Sequence, residues 1–123
     1  MSERGVEETL AQLRRENPRY AESAYLFLLA ALHDHLEKLE APRHISGAEL
    51  AGAVRDLALE RFGPLARTVL EYWGIHSTSD LGEIVFQLVD HGILIKQATD
   101  RREDFEGLFS FQEAFETEYP WGR

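Results

Sequence analysis

The residues best suited to chemistry in this chain lie in one short run, His33, Asp34, His35 and Glu37. On a helix, His33 and Glu37 share a face at i and i+4, as two metal ligands would. His35 points about 200° away from His33 on a wheel of 3.6 residues per turn, and Asp34 is off that face as well. His44 is a further candidate, but no spacing brings it near. Two ligands on one face fall short of the three or four that zinc sites use. The run therefore reads as the polar face of an amphipathic helix, with no metal and no cofactor expected.

No catalytic constellation emerges elsewhere. The chain has no cysteine, so thiolate nucleophiles, disulfides and Cys-ligated metals are excluded. It has no G-x-S-x-G nucleophile turn, no P-loop and no G-x-G-x-x-G loop. Glu7-Glu8 and Glu103-Asp104 pair carboxylates, but in segments that read as surface. The expectation is a protein that is not an enzyme.

The elements that hold these residues follow from periodicity. Val6, Leu10 and Leu13 mark a short first helix, which Asn17-Pro18 ends. From Ala21 to Leu39, apolar residues recur at spacings of three, four and seven. The first half of that helix is apolar all round, as expected of a central helix. Ser46 and Glu49 form a capping box before a third helix with Leu50, Val54, Leu57, Ala58 and Phe62 on one face. Gly63-Pro64 separates it from a fourth helix, expected to bury Leu65, Val69 and Trp73. Ser77 to Asp80 starts a fifth, in which Asp80 and Glu83 repeat the capping logic and Leu81, Ile84, Val85, Leu88 and Val89 form the buried stripe. Gly92 stops it. Ile93-Leu94-Ile95, the polar stretch 98–104 and the alternation of Phe105, Gly107, Phe109 and Phe111 predict an antiparallel hairpin. The expected fold is mainly α (α+β), with about five helices and a C-terminal β-hairpin, winged-helix-like. It is read as a single domain over 1–123: a short N-terminal helix in 1–19, the helical core with hairpin in 20–111, and an acidic-aromatic tail in 112–123.

A winged helix usually suggests nucleic acid, yet the charge opposes it. The chain has 123 residues and a net charge of −9. The positions expected to be exposed on the fifth helix are Asp80, Glu83, Gln87, Asp90 and His91. Its carboxylates would repel phosphates, and it offers no cation for counterion release. The same helix is instead a candidate protein contact through Asp80, Glu83 and Gln87. Tyr72 and His76, beside a helix end, are further candidates, because aromatic residues anchor many interfaces. Trp73 is assigned to the core. Tyr119 and Trp121 either pack back on the domain or dock on a partner, with packing back favoured. Arg14, Arg15, Arg19, Arg43, Arg55, Arg61 and Arg67 keep nucleic acid or the ribosome as the alternative. Clustering of these arginines on one face would favour it, and scatter among carboxylates would oppose it.

The blocks His44-Ile45-Ser46-Gly47-Ala48-Glu49-Leu50, Phe62 to Val69, Trp73-Gly74-Ile75, Ser79 to Phe86 and Arg102-Glu103-Asp104-Phe105 resemble a bacterial family with no established function. The likeness runs from about Tyr20 to Phe115. It implies a small standalone bacterial domain and carries no activity, cofactor or partner. The N-terminus has no apolar signal core and the longest apolar run has nine residues, so no membrane association and a cytoplasmic location are expected. The functional expectation is a non-catalytic protein-interaction or regulatory module with an unidentified protein partner or a second copy of itself.

Overall fold

The computed structural model describes residues 3–94 and 101–117, with side chains for 7–94 and 101–116. Five α-helices run in order: α1 (Glu3–Glu16), α2 (Glu22–Glu37), α3 (Gly47–Phe62), α4 (Ala66–Tyr72) and α5 (Thr78–Asp90). A 3-10 turn, Gly63–Leu65, joins α3 to α4. A second, Arg102–Phe105, and a π-helical turn, Glu113–Thr117, follow α5.

α1 ends where Asn17 donates its N–H to the Leu13 carbonyl at 2.8 Å, just before Pro18. Among its described side chains, Leu10 and Leu13 are fully buried. α2 buries Ala24, Tyr25, Phe27, Leu28 and Ala31 but leaves Leu26 and Leu36 exposed. It packs against α1, α3 and α5, as expected of a central helix, and α5 is more deeply buried still. α5 buries Thr78, Asp80, Leu81, Gly82, Ile84, Phe86 and Leu88, which spread around most of its circumference.

The turn at Gly63–Leu65 also corrects the fourth helix. A 3-10 turn advances three residues per turn rather than 3.6, so it rotates the helix that follows. Ala66 and Leu70 face the core, Val69 is half-buried, and Leu65 is turned out to 63% exposure. Trp73 packs on the core edge as expected, with its ring 5.5 Å from Phe27 and 5.7 Å from Phe62.

No strand is present among the described residues, so the expected hairpin and the winged-helix outline are overturned. The reason lies at both would-be strands. Gly92, at φ 77°, closes α5 in a Schellman motif, with Gly92 N–H donating to Val89 O and Ile93 N–H to Leu88 O. Ile93 and Leu94 fold back on the core as the apolar contact of that motif, and no strand partner is left. Ile95 lies outside the described residues. On the other side, the chain bends at Gly107, with φ 61°, between the 3-10 turn and the π turn. Phe105, Phe111 and Phe115 are all buried, and Phe111 meets Phe115 edge-on at 5.1 Å. The part of the tail through Phe115 therefore packs back on the helices. Tyr119 and Trp121 lie outside the described residues.

Phe105 is the plug that anchors this segment. A Cβ at Gly47 would come 3.1 Å from its ring, and one at Gly82 would come 2.9 Å from its own Cβ. Leu108 N–H also donates to the buried Thr78 hydroxyl at 3.3 Å. None of the described helices is long and apolar enough to cross a membrane.

Gly82→Ala is expected to lower stability by about 1–3 kcal/mol through overpacking against Phe105. In a Phe105→Gly background, which removes both the ring and the Cβ that a Gly82 Cβ would meet at 2.9 Å, the same change becomes neutral or stabilising by up to about 1 kcal/mol, because alanine is the better helix former. Urea unfolding of the four proteins in this cycle checks the reversal of sign.

Candidate functional site

Asp80 is the buried charged residue at the start of α5, 3% exposed, and it is not the surface contact that its acidity suggests. Tyr20 O–H donates to its Oδ1 at 2.6 Å, and the His76 N–H donates to its Oδ2 at 2.8 Å. Arg19 Nη2 lies 2.7 Å from Oδ1. The carboxylate sits in the third position of α5 and reaches back past Ser77, whose side chain makes no capping bond. It thereby holds the link before α2 against the link before α5. Two further contacts mark the same junction. Ala21 N–H donates to Trp73 O at 3.0 Å, and a Cβ at Gly74 would meet the Arg19 carbonyl oxygen at 2.3 Å.

The other acidic-helix candidates are engaged as well. Glu83 pairs with Arg102, whose guanidinium also lies 5.4 Å over the Phe86 ring. Gln87 Oε1 accepts the Tyr25 hydroxyl at 2.5 Å. Asp80 and Gln87 are therefore tied to Tyr20 and Tyr25 inside the domain, and Glu83 is paired with Arg102 at the surface, so the three do not form a free reading face. The helix expected to enter a groove is held in the middle of the domain.

The histidine-rich run divides as its wheel requires. His33 faces Glu37 at 3.5 Å on open surface, while His35 Nε2 lies 2.7 Å from Glu49 Oε2. Glu49 also takes two bonds from Arg43, at 3.0 and 2.8 Å. The expected capping box is therefore only half made: Ser46 Oγ accepts the Glu49 N–H at 3.1 Å, and the Glu49 carboxylate is directed to Arg43 and His35. Among the described residues no three His, Asp or Glu side chains converge as metal ligands.

The arginines are scattered among acids. Arg19 pairs with Asp80, Arg43 with Glu49, Arg55 with Asp56, and Arg67 with both Glu71 and Glu116. Arg61 lies 5.8 Å over the Phe27 ring.

Among the described residues, two apolar features stand open to a ligand or partner. One is the outer face of α4 and its approach, where Tyr72 is 87% exposed and Leu65 63% exposed. Seven residues apart, the two lie on one side, with half-buried Val69 between them and exposed His76 just beyond. Tyr72 and His76 are thus the sequence candidates that remain at the surface. The other is an apolar cavity of about 230 Å³ between α2, α3 and α5, with the 43–46 segment at its rim. No sequence feature marked it. No family model, curated protein or solved structure matches the chain.

Asp80→Ala is expected to cost roughly 2–4 kcal/mol, because it leaves the Tyr20 hydroxyl and the His76 N–H without their acceptor. Thermal unfolding of this variant beside Tyr20→Phe checks the ordering, with Tyr20→Phe the milder of the two.

Two pH limbs follow from the environment. Burial, then the bond to Asp80, pushes the Tyr20 phenol above its ordinary range, and burial pushes Tyr25 up to about 12. For a raised phenol, stability is whole below the unfolded value of 10.0 and falls as pH rises from there through the folded value, about 12 for Tyr25. Glu49 has the opposite sign. The Arg43 bonds, then His35, lower it from 4.5 to about 2. Its contribution is complete above pH 4.5 and disappears as pH falls toward 2. Chemical denaturation across pH checks both, with Glu49→Gln flattening the acid limb and Tyr25→Phe the alkaline one.

Proposed function

We propose that this chain is a non-catalytic protein-interaction module that engages a protein partner through the outer face of α4. The observation that carries this reading is the exposure of Tyr72 and Leu65 on one side of a short helix whose other side, Ala66 and Leu70, is fully buried. The buried side fixes the helix, so the outward pair is presented in a defined geometry. A large aromatic beside a leucine offers the apolar centre of a small interface at low entropic cost. His76 and the ion-paired Arg67 and Glu71 supply a polar rim. A second copy of the chain is one partner of this kind.

The charge distribution supports a protein over a nucleic acid. Several of the arginines that would have to meet phosphates are bound to carboxylates, and the domain is acidic overall. Phosphate binding would have to displace those pairs.

The test compares the full-length chain with a Leu65→Ser/Tyr72→Ala variant. Both replaced side chains are exposed, so melting temperature is expected to stay within about 2 °C of wild type. Nuclease-treated capture, quantified by mass spectrometry, is expected to recover a defined protein, or the chain itself, at least tenfold less with the variant. Equal recovery by both proteins contradicts the reading. So does recovery that vanishes on nuclease treatment.

A further inference from the structure

From the cavity between α2, α3 and α5, we infer that the domain holds a second, separate site for a small uncharged apolar molecule, aromatic or branched-aliphatic. Leu36 and Leu32 of α2, Leu50 of α3, Val85 and Val89 of α5, and Phe105 are among its apolar lining residues. At about 230 Å³ it exceeds the apolar cavity of roughly 150 Å³ that suffices for benzene. The space opens to solvent beside the exposed Leu36, so an apolar occupant would displace water from these apolar walls and gain dispersion contacts with them.

Charge selects the occupant. Among the described residues no Asp or Glu lines the cavity, and the Arg43 guanidinium at its rim is already matched by a bidentate pair with Glu49. The rim therefore carries no uncompensated charge from that pair. A carboxylate ligand would compete with Glu49 for Arg43, and an ammonium would find no acid in the wall. An uncharged molecule has neither penalty. Phe105 closes one end as the plug against Gly47 and Gly82, so the size of the cavity depends on a side chain packed in place.

The test titrates toluene, and benzoate in parallel, into the full-length chain and follows methyl resonances by NMR. Toluene is expected to bind saturably, with a Kd of about 1 mM or tighter, and to shift the Leu32, Leu36, Val85 and Val89 methyls first. Benzoate is expected to bind at least tenfold more weakly. Val89→Trp fills the cavity and is expected to abolish the toluene response. Leu36→Trp does the same from a partly exposed position, so a folded variant is available if the first unfolds. The inference is overturned by a non-saturable response, by shifts that lie away from these methyls, or by benzoate binding as well as toluene. It is also overturned if the same methyls shift on raising protein concentration alone, because a second copy then fills the cavity. Neither variant touches Leu65 or Tyr72, so this outcome is independent of the α4 surface.

Discussion

The arrangement of the helices depends on one buried carboxylate. Taking Asp80 out of water is unfavourable unless its oxygens are matched by donors. The Tyr20 hydroxyl, the His76 N–H and the Arg19 guanidinium supply them. These donors come from two chain links that are far apart in sequence. Satisfying one side chain therefore brings the link before α2 against the link before α5. The close pass of Gly74 over the Arg19 carbonyl and the Ala21–Trp73 hydrogen bond are possible only in that arrangement. With its first turn fixed in this way, α5 has α2, α3 and the Phe105 segment packed around it.

That placement decides which surfaces remain for function. A helix closed in on most sides cannot enter a nucleic-acid groove, and its acidic and amide side chains are held by Tyr20 and Tyr25 within the domain and by Arg102 at the surface. Among the described residues, two of the features left open by the packing stand out. One is the ridge of Leu65 and Tyr72, turned outward by the 3-10 turn before α4. The other is the apolar space where α2, α3 and α5 diverge below Phe105. They lie on different elements, so binding at one does not presuppose binding at the other.

Helix ends were legible because they depend on local chemistry. Pro18, Ser46, Gly63, Gly74 and Gly92 each mark a boundary near where the helices stop or start. Partners distant in sequence were not legible. Nothing in Ser77 to Asp80 reveals that a tyrosine 60 residues earlier will bury the aspartate. The same limit explains the missing hairpin. Phe105, Gly107, Phe109 and Phe111 alternate as a strand would, but a strand needs a neighbour, and Ile93 and Leu94 are used to close α5. The fourth helix shows a third kind of failure. Its apolar residues were correctly identified, yet a 3-10 turn rotated Leu65 outward and placed Ala66 and Leu70 inside. The ridge proposed for docking arises from that rotation. Of the surface candidates, Tyr72 and His76 were placed correctly because each sits beside a helix end with no apolar periodicity to bury it.

Native-state hydrogen exchange on the full-length chain tests the central claim most directly. If α5 is the centre of the domain, the amides of Ile84, Val85 and Leu88 exchange slowest, and only through global unfolding, at the free energy measured by denaturant. Asp80→Ala would then lower their protection together with that of Leu28 and Leu70, because all of these amides open in one event. Fast exchange of α5 through local opening, with α2 and α3 still protected, would contradict the account and place α5 at the surface.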